Sequence, residues 1–215
     1  MKTRLYTAAI AASLVAAFAQ SSSAATVSIS SESYSGSPYA GTGFDTLASS
    51  STGFFTQTTA GSIANVQRSP FASSSTNYSA ISNNAVYTAG SATYNYAAGL
   101  TSFSFLWGSP DSYNTVKFYS GQGGTGSVVG TFTGSSLTDP TKGIGYDLVS
   151  FLASSPGAIG SVVLSDSGQP AFEYGNVTPT PLPAALPLFA SALGIGGVFL
   201  RLRKKKAAKS QVAFA

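Results

Sequence analysis

Trp107, Asp111, Tyr113 and Asn114 fall close together in the stretch Trp107-Gly108-Ser109-Pro110-Asp111-Ser112-Tyr113-Asn114. An indole beside a carboxylate, a phenol and an amide has the parts needed to grip a sugar. The ring stacks on the apolar face of the pyranose, and the polar groups take its hydroxyls. The same residue types also build folds without any ligand. Trp107 then fills a core, while Asp111 and Asn114 close turn amides. The second use is the commoner one.

Asp111 and Glu173 are candidates for a carboxylate pair of the kind that cleaves glycosidic bonds, which needs two acids at a set separation. Sequence gives no distance, so a glycan hydrolase stands third among the functions considered and no catalytic residue is assigned. Histidine and cysteine are both absent. That removes Ser-His-Asp and Cys-His catalysis, and zinc sites built on imidazole or thiolate. No disulfide framework is used either. No cofactor is expected. A structural Ca²⁺ would draw on Asp45, Asp111, Asp147 or Glu173 with carbonyl oxygens, but no EF-hand or repeat-type loop is present. Gly121–Gly126 lies between two strand-like runs, so it lacks the helix N-terminus that phosphate-binding glycine loops rely on. Asn77-Tyr78-Ser79 and Asn176-Val177-Thr178 match the glycosylation sequon, a short pattern that carries little weight alone.

The elements that would position these groups read as strands. Thr26–Ser31 alternates apolar and polar residues. Gly53–Thr58 and Ser62–Gln67 are short strand candidates, and Ser69–Asn84 is expected to be a long exposed loop. Ala92–Tyr96 puts Tyr94 and Tyr96 on one face. Thr101–Trp107 alternates through Phe103 and Phe105, and Asn114–Tyr119 through Val116 and Phe118. Between them, Pro110 and Asp111 suit a turn. These two runs are expected to form an antiparallel hairpin. Ser127–Thr133, Ile144–Leu152 (strand or short helix), Ala158–Leu164 and Pro170–Tyr174 complete the set. Eight to ten strands with no strong helical period predict an all-β chain, an antiparallel β-sandwich of jelly-roll-like type.

The ends of the chain are of another kind. Lys2 and Arg4, the apolar Ala8–Ala19 and the small residues Ser21–Ala25 form a secretory signal peptide, residues 1–25, with the mature start at Ala25 or Thr26. Leu182–Leu200 contains no charged residue. At about 1.5 Å per residue it reaches roughly 28 Å as a helix, close to the hydrocarbon thickness of a bilayer. Pro183 and Pro187 sit early, where a helix best tolerates proline. Arg201, Arg203, Lys204, Lys205, Lys206 and Lys209 follow, a cluster that halts translocation and stays cytoplasmic. Three parts result: signal peptide 1–25, ectodomain 26–176, and tail 177–209 with a transmembrane helix at 182–200 and a basic cluster at 201–209.

The net charge of +4 misleads. The ectodomain holds Arg68, Lys117 and Lys142 against seven acids, a net −4, and every other basic residue lies in the two ends. Nucleic acid is therefore not expected as a partner.

The tail Val177–Lys209, VTPTPLPAALPLFASALGIGGVFLRLRKKKAAK, resembles the PEP-CTERM sorting tail of Gram-negative bacteria. Thr180-Pro181-Leu182-Pro183 stands in place of the Pro-Glu-Pro core. The resemblance implies processing by an exosortase, a membrane transpeptidase-like protease. Phe103–Tyr119, FSFLWGSPDSYNTVKFY, together with Ala171–Val177, AFEYGNV, resembles a family of exosortase-dependent surface proteins. Its pattern is aromatic-x-Phe-Leu-Trp-Gly-Ser-x-Asp-x-Tyr-Asn, with a later Ala-Phe-Glu-aromatic-Asp-Asn. This chain has Gly175 where the pattern has aspartate. The resemblance implies export through the Sec translocon, cleavage by signal peptidase, a transient stay in the inner membrane, and a final place at the cell surface or in extracellular polysaccharide. The expected role is structural or adhesive. A secreted carbohydrate-binding module, with Trp107, Asp111, Tyr113 and Asn114 as glycan contacts, is the runner-up.

Overall fold

A computed structural model describes residues 24–40, 48–60, 62, 67–81, 88–138, 145–169 and 171–181. The described residues form one large antiparallel sheet of ten strands. They are β1 (Val27–Ser35), β2 (Ser50–Gly53), β3 (Phe55–Ala60), β4 (Asn77–Ile81), β5 (Gly90–Gly108), β6 (Asn114–Tyr119), β7 (Val128–Thr133), β8 (Tyr146–Ala153), β9 (Ile159–Asp166) and β10 (Phe172–Pro181). Most of the signal segment, the apolar run 182–200 and the basic cluster lie outside the described residues. Among the described residues, no helix is long and apolar enough to cross a membrane.

The sheet is organised around β5, which spans 19 residues and changes partners halfway. Its first part, Gly90–Asn95, pairs with β2 on one side and β9 on the other. Its second part, Ser102–Gly108, pairs with β10 and β8. The register breaks between Asn95 and Leu100. Within the break Gly99 adopts φ +72°, and a β-carbon there would lie 2.3 Å from the Gly157 carbonyl oxygen. Only glycine permits both the turn and the close approach. The two strands read separately from sequence are thus one bent strand.

The bend brings parts of the sheet face to face. Phe118 of β6 meets Phe103 of β5 at 6.0 Å and Phe151 of β8 at 5.0 Å between ring centroids. Phe132 of β7 meets Phe151 at 4.9 Å. None of these strand pairs shares a backbone ladder. The rings therefore meet through the core, with Phe103, Phe105, Trp107, Val149, Phe172 and Tyr174 buried beside them. Tilted and edge-on rings at such spacings add about 0.5–1.5 kcal/mol per pair beyond area burial.

The expected hairpin is corrected here. β5 and β6 do not pair; β6 lies between β7 and β9. Both runs carry an apolar face, and the turn between them carries the chain across the core instead of back along the same ladder. The expected exposed loop over Ser69–Asn84 is corrected too. Asn77–Ile81 is a strand buried from Tyr78 onward, and Phe71 is 2% exposed.

On the opposite face of β5, β8 and β10, a second cluster gathers Leu106, Tyr146, Ala171, Tyr78, Ala80 and Phe71. Period-2 alternation places Glu173 on this face, between Phe172 and Tyr174, which point into the core. Residues 67–72 cross over it as a strap.

β10 ends in the proline-rich stretch. Thr178, Pro179, Thr180 and Pro181 pair with β5, whereas pairing with β4 covers only Phe172–Tyr174. Pro179 and Pro181, two residues apart, lack donors on the same side of the strand. Proline in a sheet sits where that side faces outward, and it blunts the edge against added strands. Val177–Pro181, placed in the tail on sequence grounds, are thus part of the sheet. At the other end β1 begins at Val27, and the Thr26 N–H donates to Ser154 Oγ at 3.0 Å.

Candidate functional site at the end of β5

The Trp-Gly-Ser-Pro-Asp-Ser-Tyr-Asn stretch runs from the last residues of β5 to the first of β6. Trp107 has no exposed surface. Its ring stacks on Phe172 at 5.0 Å and lies 5.4 Å from Phe105. Asn114, also fully buried, lies opposite Asp166 of β9 on the face of Val116 and Phe118. Neither the Trp107 Nε1 nor the Asn114 amide group has a hydrogen-bond partner among the described residues. A sugar has no open face of Trp107 to stack on.

The turn itself is held by backbone. The Asp111 carbonyl oxygen accepts from the Asn114 N–H at 3.1 Å and the Gly134 N–H at 3.0 Å. Ser109 sits at φ 46°, and its N–H donates to the Gly145 carbonyl at 2.8 Å. Tyr113 Oη donates to Asp111 Oδ2 at 2.7 Å. Burial raises the Asp111 carboxyl above its ordinary value, and the Tyr113 hydrogen bond partly counters this. The Tyr113 phenol is also pushed up, first by burial, then by the Asp111 hydrogen bond and by the charges of Asp111, Asp166 and Glu173. Asp111 and Tyr113 are half-buried and satisfy each other. Of the four proposed glycan contacts, the structure places two in the interior and two in a closed pair at its rim.

Glu173 faces the other way. It is 3% exposed, beneath the strap, and its Oε1 accepts the Arg68 N–H at 2.6 Å. Its Oε2 has no hydrogen-bond partner among the described residues. A β-carbon on Gly108, directly across the ladder, would lie 3.2 Å from both Glu173 Cβ and Pro70 Cβ. A side chain on Gly108 would press on the strap, which would have to give by a few tenths of an ångström. Burial pushes the Glu173 carboxyl up to about 8; the Arg68 and Glu173 backbone N–H groups pull it down less, and Asp111 and Asp166 add to the rise. The Arg68 guanidinium lies 5.5 Å from the centre of the Tyr146 ring. Asp111 and Glu173 feel each other's charge, but the Glu173 carboxyl is covered, so the two do not line an open cleft.

Asp147 and Asp166 are buried on the core side. Asp147 Oδ1 accepts the Ser33 N–H at 3.0 Å, and Asp166 Oδ1 accepts from Gly168 and Gln169 at 2.7 and 2.8 Å. Among the described residues no three acidic groups come together in a way that would hold a metal ion. Asp45 lies outside the described residues. So do Leu182 and Pro183 of the sorting motif, and Arg201, Arg203, Lys204, Lys205 and Lys206; Thr180 and Pro181 are exposed at the end of β10.

At the bend of β5 opens a hollow of about 300 Å³, lined by Tyr96, Ala97, Ser120, Gln122 and several glycines. No charged side chain lines it. Sequence reading passed over it because its walls, mostly small residues, come from three stretches of chain far apart in sequence. The strap was also missed. Its one local signal is Pro70-Phe71, the only bulky apolar residue in a serine-rich stretch.

Compared with known proteins, the chain matches no family model, no curated protein and no solved structure.

Proposed function

We propose that this chain is an exported surface or extracellular-matrix protein with a structural or adhesive role, delivered by an exosortase. The observation that carries the reading is the order of its C-terminal parts: prolines, an uncharged run, then a basic cluster. The end of β10 supports it, since Pro179 and Pro181 remove donors from the side of the strand that β5 does not use and blunt it against added strands. A precursor held by Leu182–Leu200 would leave the body outside the inner membrane and the cations inside. Mass spectrometry of the surface-exposed form tests this. In cells with the exosortase, the mature C-terminus should end before Arg201, and in cells without it the basic cluster should remain. An intact Arg201–Lys206 end on surface protein from exosortase-bearing cells would remove the sorting claim.

The fold is read as a two-layer β-sandwich of jelly-roll-like type. Support comes from the bent β5 and from the ring contacts between strands that share no ladder. A carbohydrate-binding module is the second reading. The uncharged hollow beside Tyr96 favours it more than the Trp107 stretch does. Glycan-array binding lost on Gln122→Ala, with the fold intact, would support that module; binding by neither protein would end it.

A further inference from the structure

We infer that the 67–72 strap is a pH-operated cover: closed, it shuts the Glu173 carboxyl away from water on the outer face of β10, and the need of a carboxylate charge for water lifts it. The pin between strap and strand is the hydrogen bond from the Arg68 N–H to Glu173 Oε1; it favours the charged carboxylate, but burial weighs against that charge more heavily. Around it lie Pro70 against Gly108, Phe71 in the outer apolar cluster, and Arg68 over Tyr146. Elsewhere along the strap the Tyr39 N–H donates to the Pro70 carbonyl at 2.8 Å, the Tyr39 carbonyl accepts from Ala72 at 3.0 Å, and the Ser69 N–H donates to Ser62 Oγ at 2.9 Å.

The carboxyl is placed so that a charge is costly. It is nine-tenths or more buried, and Oε2 meets no donor among the described residues. The groups that bear on it come from every side. Arg68 of the strap supplies a cation, turned onto the Tyr146 ring of β8. Asp111 and Tyr113 belong to the turn after β5, and Asp166 ends β9; both carboxylates oppose ionisation of Glu173. Facing it across the ladders, Gly108 of β5 and Ala80 of β4 bring no charge. Lifting the strap returns the carboxyl to water, where its ordinary value applies.

The sign follows from linkage. A closed-state value of about 8 against an ordinary value of 4.5 means that the closed form holds the proton more tightly. Closure is strongest below the ordinary value, weakens as pH rises through the window, and levels off above the closed-state value. With one proton involved, the opening constant rises up to about tenfold per pH unit inside that window. Opening would bare Leu106, Tyr146 and Ala171 on the outer face.

Hydrogen exchange on the full chain, read by mass spectrometry as protection factors, tests the cover. Peptides spanning 67–72 should lose protection by up to about tenfold per pH unit from about pH 5 to about pH 8 and then level off, while β9 stays the better protected of the two at every pH. Glu173→Gln should make strap protection independent of pH. Asp111→Asn, a milder change that keeps the pin, should move the levelling point to lower pH. The inference is overturned by strap protection that is flat with pH in the unaltered chain, or by the same slope in Glu173→Gln. Strap protection equal to that of β9 at every pH would overturn it as well, since the strap would then open only by global unfolding.

Discussion

The two faces of β5, β8 and β10 are held in opposite ways. The inner face is a continuous field of rings, Phe103, Phe105, Trp107, Phe151, Phe172 and Tyr174, with Asp147 and Asp166 buried on the same side. The outer face is a smaller apolar patch with a buried carboxyl at its centre and a strap across it. The first gains from area and ring geometry alone. The second depends on the protonation state of Glu173. One sheet thus carries a joint built mainly of packed rings and a cover tied to a buried carboxyl.

The largest expected effect breaks the inner face. Trp107→Ala removes a fully buried indole between Phe105 and Phe172 and should cost about 3–5 kcal/mol in chemical denaturation. A surface grip would lose ligand and keep its stability.

The next effect separates the faces by pH. Stability should decline between pH 5 and pH 8 by up to about 1.4 kcal/mol per pH unit, because the folded Glu173 value of about 8 lies above the ordinary 4.5. Denaturation curves of Glu173→Gln should lose that decline, whereas Tyr94→Phe should keep it. The tyrosine change removes the 3.0 Å link from Tyr94 Oη to Tyr174 Oη and should cost about 1 kcal/mol at every pH up to 8. Smallest of all is Leu152→Ser. Leu152 is 49% exposed on β8, and the midpoint should move by no more than about 0.5 kcal/mol.

The inner face was largely legible in the sequence. Alternation through Phe103, Phe105 and Trp107, and through Val116 and Phe118, identifies strands and their apolar sides. It does not name their partners. A hairpin and a crossing between facing parts of a sheet need the same alternation and the same kind of turn, so the pairing of β5 with β6 was misread. The bend at Gly99 was hidden for a similar reason, since a glycine between two strand-like runs reads as a break. The outer face was nearly illegible. Glu173 alternates with Phe172 and Tyr174 as an exposed residue would, and the strap that covers it lies 105 residues away in sequence. Such long-range covering leaves no local pattern beyond Phe71.

The Trp107 stretch, distinctive enough to suggest a ligand, is instead where the chain passes from one part of the sheet to the facing one. Trp107 is the only tryptophan, so its fluorescence reports this joint directly. A buried joint gives blue-shifted emission, shielded from iodide and acrylamide, unchanged by added saccharides, and moving to the red only with global unfolding. Red-shifted, freely quenched emission from the folded chain would contradict it.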